Sequence, residues 1–270
     1  MEIIREASEL LIKIKENRPL IHHITNYVTI NDCANVVLAV GGSPIMANDP
    51  AEVSEVVAMA KALVLNIGTP NNNNFQSMLL AGKKAKEMSI PIVFDPVGAG
   101  ATSFRKEMCS RLLEDVRPDV IKGNISEIMY LANVDGCYYG VDSLQDIDNA
   151  AGIVQQLAKN LNCIVAATGR RDFVSDGSTS YVINNGHDML SKVTGTGCMT
   201  SSLIGAFCSV TTDYLKGAVA GIMTMGISGQ LANACLLSDE GIGMFKVRLF
   251  DNIYNLNKET FIREGAVYAG

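Results

Sequence analysis

VTGTGCMTSSLIGAF, residues 193–207, is a glycine-rich turn that opens into an apolar helix. Gly195 and Gly197 let the main chain approach a ligand closely. The unpaired N–H groups at the start of the helix, Thr196 among them, point outward, and the helix dipole favours an anion there. Read alone, the turn serves a transferring phosphoryl group or merely connects a strand to a helix. Cys198 lies in the first turn, where a phosphate-transferring site more naturally places a carboxylate. A helix N-terminus lowers a thiol's pKa, which predicts some thiolate near neutral pH.

The segments before this turn share a rhythm. ALVLNIGTP ends at Asn66 and Gly68, IPIVFDPVGAG at Asp95, Pro96 and Gly98, DVIKGNISE at Lys122 and Asn124, and CIVAATG at Thr168 and Gly169. GGSPIMA reads as a further strand end at Ile45 and Met46. Helical periodicities lie between them, at 50–61, 75–88, 104–116, 126–132 and 143–160. Apolar strands alternating with helices predict a parallel sheet covered on both faces. DFVSDGSTSYVI is then a hairpin about Asp176-Gly177, expected to lie antiparallel beside that sheet. Helices are expected at 198–211, 215–237 and 244–259, and an amphipathic helix at the N-terminus. No linker or repeat divides the chain, so one α/β domain over 1–270 is expected.

Composition narrows the function. The 270 residues carry 22 basic and 28 acidic side chains, a formal charge of −6 with no basic stripe, which argues against nucleic acid. Seven cysteines form no CxxC pair, which fits reduced thiols in the cytoplasm. The uncharged stretches 193–212 and 217–238 are long enough for a bilayer. They are rich in Gly, Ser and Thr, so we read them as buried core helices.

In an open parallel sheet, ligands bind beyond the carboxyl ends of the strands. Asp95, Lys122, Asn124, Glu127 and Thr168 should therefore meet on one rim. In KGNISE, Lys122 suits a nucleotide phosphate and Glu127 suits Mg²⁺, or the segment is simply a helix cap. Asp95 has the same two readings, as a ligand or as a turn residue. His22 and His23 lack metal-ligand spacing and read as hydrogen-bonded structural residues. Asn26 is placed to contact a ligand, the Asn71–Asn74 run reads as a solvated helix entry, and Arg170 and Arg171 as a solvated turn. No Walker A sequence and no GxGxxG occurs.

The order of Asp95-Pro96, the Asn-x-x-Glu of NISE and the later GTG loop resembles the ribokinase-like fold, a three-layer α/β/α sandwich. In most of that superfamily the loop reads GTGD or GAGD, and the aspartate is the base; here it reads GTGC. With HHITNYVTINDCAN, GGSPIMANDP and VFDPVGAG, the whole chain is similar to the hydroxyethylthiazole kinase family. The resemblance implies ATP-dependent phosphorylation of the hydroxyl of 4-methyl-5-(2-hydroxyethyl)thiazole, for thiamine biosynthesis or salvage. It implies ATP contacts at Lys122, Thr168 and Asn124, and Mg²⁺ at Asp95 and Glu127. Gly195, Thr196 and Gly197 would receive the phosphate, and Met46, Gly195 and Asn26 the thiazole, with Cys198 at the catalytic position. It also implies a homotrimer with active sites between subunits. Two rivals stand beside it: a kinase of the same fold for another alcohol, such as a hydroxymethylpyrimidine, and a non-catalytic thiazole or nucleotide sensor.

Overall fold

The computed structural model describes residues 2–132 and 144–270, and of 144–149 only the course of the main chain. Cys137 and the first position of the helix expected at 143–160 lie outside the described residues. The strands are β1 (Leu20–Ile24), β2 (Ser43–Met46), β3 (Ala62–Asn66), β4 (Ile92–Asp95), β5 (Val120–Asn124), β6 (Ile164–Thr168), β7 (Asp172–Ser175), β8 (Ser180–Ile183) and β9 (Val267–Ala269). The helices are α1 (Glu2–Asn17), α2 (Ile30–Val40), α3 (Val53–Met59), α4 (Asn72–Glu87), α5 (Ser103–Arg111), α6 (Ile125–Leu131), α7 (Leu144–Leu161), α8 (Thr196–Cys208), α9 (Tyr214–Ala234), α10 (Ile242–Asn255) and α11 (Lys258–Glu264). A π-helical turn, Leu112–Val116, extends α5.

The described strands form one sheet in the order β2–β1–β3–β4–β5–β6–β7–β8–β9. From β2 to β6 every pairing is parallel. From β6 to β9 every pairing is antiparallel, with the hairpin of β7 and β8 where Asp176-Gly177 predicts it. Successive strand residues point to opposite faces, and the chain uses both. Ala62, Val64, Val93, Val120 and Ala166 join a core with α1, α2, α8, α9, α10 and α11. Leu63, Leu65, Phe94, Ile121 and Val165 join a second core with α3, α4, α5, α6 and α7. This is the expected three-layer sandwich, with a mainly parallel sheet and an antiparallel edge.

Small residues bring α8 close to the sheet. A Cβ on Gly205 would lie 2.6 Å from Val64 Cγ2, and one on Gly221 of α9 would lie 2.7 Å from the main-chain nitrogen of Ile204. The buried runs read above as core helices are thus α8 and α9. Among the described residues no helix is long and apolar enough to cross a membrane.

Three local readings need correction. HHIT was assigned to no element, yet Leu20–Ile24 is β1, next to the edge strand β2. Its histidines interrupt the apolar run but are buried and bonded: His22 Nε2 lies 2.8 Å from the Ala47 carbonyl, and His23 Nε2 lies 3.1 Å from Ser202 Oγ. The helix expected at 244–259 stops at Asn255 and restarts at Lys258, because Asn257 Oδ1 accepts the Thr260 N–H at 2.9 Å and caps a new helix. The short β9 was not read as a strand.

Candidate active site

Parallel strands present their carboxyl ends together. β3 and β4 end in register at Asn66 and Asp95, and β5 and β6 at Asn124 and Thr168. Asn26 follows β1, and Met46 closes β2. The N-terminus of α8 lies over this rim. Its cap, Gly195, has φ +94°, a left-handed conformation that favours glycine. Cys198 is the third residue of the helix.

Hydrogen bonds join these ends into one network. Asn66 Nδ2 donates to Asp95 Oδ2 at 2.9 Å and to Cys198 Sγ at 3.2 Å. Asn26 Nδ2 donates to Asn66 Oδ1 at 2.9 Å and to Cys198 Sγ at 3.3 Å. Ser201, one turn into α8, donates to Asp95 Oδ2 at 2.8 Å. Lys122 Nζ donates to the Gly197 carbonyl at 3.0 Å, which sets this buried amine under the glycine turn. Glu127 and Asn124 form a capping box at the start of α6, and Glu127 Oε1 also accepts the Gly98 N–H at 2.8 Å. Thr168 Oγ1 donates to the Gly123 carbonyl at 3.2 Å. Arg105 of α5 holds the carbonyls of Ile67, Gly68 and Val97, which ties the loops after β3 and β4 together.

The electrostatics overturn one expectation. Burial, and then the charge of Asp95, push the Cys198 thiol up, against the weaker pull of Thr29, Lys122 and Asn66. Desolvation and a neighbouring carboxylate thus outweigh the helix N-terminus, and the shift runs opposite to the lowering expected from the sequence. Burial and Asp95 also push Glu127 up, while the Gly98 and Asn124 amides and Lys122 pull it down. The two carboxylates therefore feel each other across the rim.

A match to the model of the hydroxyethylthiazole kinase family spans residues 11–259. The chain belongs to the hydroxyethylthiazole kinase family. It is similar to the hydroxyethylthiazole kinase of Alkaliphilus metalliredigens, at 50% identity over 98% of this chain and 97% of that protein. The hydroxyethylthiazole kinase of Alkaliphilus oremlandii is 49% identical over 99% of each. The solved structure of the Pyrococcus horikoshii hydroxyethylthiazole kinase superposes with a TM-score of 0.90, at 38% identity and full coverage of both chains. The pyridoxal kinase of Staphylococcus aureus, at 14% identity and a TM-score of 0.58 over 78% of this chain and 86% of that one, shares the fold.

Within this member of the hydroxyethylthiazole kinase family, the residues singled out from the sequence fall into two groups. Asn26, Asp95, Lys122, Gly197 and Cys198 meet in the network above, with Gly195 and Thr196 in the same turn. Asn124, Glu127 and Thr168 lie along the rim toward β6. Asn26 spends its hydrogen bonds inside the protein: its Oδ1 accepts the N–H groups of Val28 and Thr29, each at 3.1 Å. Its Nδ2 is likewise engaged, with Asn66 and Cys198. The Asn71–Asn74 run is only partly solvated, since Asn74 is buried and accepts from Asn48 at 3.0 Å. Arg170 and Arg171 are exposed, as a solvated turn should be. Asn66, Ser201, Thr29 and Arg105 were not found from the sequence. For Asn66 a signal existed, since it ends its strand as Asp95 does; for Thr29 and Arg105 there was none.

Asp172, at the start of β7, is a buried acid near the Thr168-Gly169 turn. Burial pushes it up to about 7, against the Gly169 N–H and Lys122. The unfolded chain ionises near 3.8, so this residue costs stability as pH rises from there through about 7 and costs none below. Asp172→Asn keeps an oxygen for Gly169 and removes that cost. The variant is expected to exceed wild type in urea by up to about 4 kcal/mol at pH 8 and to show no such gain at pH 3.5, which parallel unfolding curves check.

Proposed function

We propose that this protein, as one ribokinase-like domain over residues 1–270, transfers the γ-phosphoryl group of ATP to the hydroxyl of 4-methyl-5-(2-hydroxyethyl)thiazole. Membership of the hydroxyethylthiazole kinase family makes it a kinase acting on an alcohol, and the relatives' names supply the alcohol. One observation carries the site assignment: Asn66 bridges Cys198 and Asp95 beneath the glycine turn.

The roles follow from position. Lys122, Asn124 and Thr168 hold ATP, with Lys122 opposite the phosphates. The main-chain amides of Gly195, Thr196 and Gly197 receive the transferring group. Met46, Gly195 and Asn26 form the wall for the thiazole. Asp95 and Glu127 supply only oxygen donors, and among the described residues no group of three His, Cys, Asp or Glu side chains converges on a metal. That set suits Mg²⁺, which uses few carboxylates and keeps its waters and substrate phosphates. When bound, Mg²⁺ would neutralise phosphate charge. The alcohol oxygen bonds to phosphorus and the bond to the ADP oxygen breaks; the hydroxyl proton leaves late, passing to the Cys198 sulfur as the thiol gives its own proton to a phosphoryl oxygen. Such a loose transfer depends on positioning more than on a strong base, which accommodates a thiol.

The reading includes a cytoplasmic homotrimer with sites between subunits. Its support is the exposure of Tyr27 and Val28 next to Asn26, 62% and 65%, where a neighbouring subunit would close the site.

The test is turnover of ATP with hydroxyethylthiazole and Mg²⁺ by wild type, Cys198→Ala and Cys198→Asp. Wild type is expected to form thiazole phosphate, Cys198→Ala to fall about 10²-fold, and Cys198→Asp to stay active, because the amides that donate to sulfur serve a carboxylate equally. Phosphorylation of hydroxymethylpyrimidine in preference to the thiazole would replace the substrate. Thiazole binding without product would make the protein a sensor.

A further inference from the structure

We propose that Asn66 is the positioning residue of the site, holding Asp95 and Cys198 at a fixed separation; the proposal rests on the active-site reading above. Asn66 is buried at the end of β3, in register with Asp95 on the next strand. The chemistry of its neighbours fixes how its amide is turned. The Gly68 N–H can only donate, so Oδ1 accepts it at 2.8 Å. With Oδ1 so placed, Nδ2 faces Asp95 Oδ2 at 2.9 Å. Asn26 is fixed in the same way, because the main-chain N–H groups of Val28 and Thr29 both donate to its Oδ1. Its Nδ2 must then donate, and it does so to Asn66 Oδ1 and Cys198 Sγ.

With both amides oriented, Asn66 can be counted out completely. A carboxamide has two N–H hydrogens and two acceptor lone pairs. One hydrogen goes to Asp95 and the other to Cys198; one lone pair takes Gly68 and the other Asn26. Nothing is left for a substrate, so Asn66 acts through its neighbours. Only one torsion places a cysteine sulfur relative to its main chain. Two N–H donors on that sulfur therefore pin it, and one of them is anchored on the carboxylate assigned to the metal side. On that reading the sulfur serves the acceptor hydroxyl and the carboxylate the phosphate side, so this amide sets the spacing between the two halves of the reaction.

Asn66→Asp is the sharpest probe. It keeps the oxygen that receives Gly68 and Asn26, preserves the shape, removes the N–H on Cys198, and leaves the new carboxyl sharing one proton with Asp95 in place of the amide bridge. Steady-state kinetics would be measured for Asn66→Asp in the wild-type and in the Cys198→Ala backgrounds. In the wild-type background kcat is expected to fall about 10²-fold, the cost of a misplaced reacting group, with KM for the thiazole changed by less than about 3-fold. In Cys198→Ala one of the two positioned groups is already absent, so the same substitution is expected to cost no more than about 10-fold. An equal loss in both backgrounds, a loss confined to KM, or an unchanged kcat overturns the proposal. If Asn66→Asp does not fold by thermal melting, Asn66→Ser, too short to span both partners, enters the same cycle with the same expectations. A wild type that forms no thiazole phosphate sinks the kinase reading instead, and is seen before any variant is made.

Discussion

Asp95→Asn is expected to lower kcat by about 10³-fold or more, because it removes charge worth several kcal/mol at the centre of the rim. The carboxylate is buried at 1% exposure and takes Asn66 and Ser201 on one oxygen. An amide of the same shape folds into the same space. Its NH2 group, however, meets the donors of Asn66 and Ser201 unless the residue turns its oxygen to them, and either way the anion is gone. Glu127 is then released from a neighbour that pushes it up. The measurement is turnover at saturating thiazole while Mg²⁺ is varied. A fall of less than about 10-fold at saturating Mg²⁺ would remove Asp95 from the reacting centre.

Gly195→Val is expected to damage stability and activity together. Gly195 has φ +94°, and a Cβ there would lie 2.6 Å from Thr29 Cγ2. The left-handed conformation costs a branched residue about 1–2 kcal/mol, and the overlap with Thr29 adds about 1–3 kcal/mol. Tm should fall by roughly 5–15 °C. Thr29 also contacts Cys198 and Cys33, so the strain is passed directly to Cys198. Turnover of the fraction that stays folded should drop about 10²-fold. Gly195→Ala, without the branch, should lie between the two. A Gly195→Val protein with wild-type melting would mean that the turn relaxes freely, and would count against a preformed anion site.

The sheet was legible because each central strand announces itself twice, by an apolar run and by the polar residue that ends it. That second mark also located most of the rim. Asn26, Asp95, Lys122 and Cys198 come from four separate segments, and only the rule that parallel strands end together brings them to one place. Legibility failed where residues did two things at once. His22 and His23 look too polar for a strand, yet each satisfies a ring nitrogen against buried oxygen. The Cys198 thiol illustrates a different limit. The helix start is visible in sequence, but the depth of burial and the direction of Asp95 are not, and those two decide the sign of the shift. Arg105 could not be found because its partners are main-chain carbonyls, which leave no trace in residue identity.

The tight seating of α8 against β3 and α9 bears on how the family's variation should be read. Gly205 faces Val64 of the sheet and Gly221 faces the main chain of Ile204, so neither position has room for even one added carbon. Both would tolerate no substitution, and in a survey of natural or laboratory variants they would look as restricted as Asp95. Yet they touch no reacting group. Their invariance would record the height at which α8 rides above the strands, and with it the distance of the glycine turn from the rim. In this protein such constraint would mark the mounting of α8 as strongly as the proposed site it carries, and a search for ligand contacts guided by constraint alone would be drawn to the wrong side of that helix.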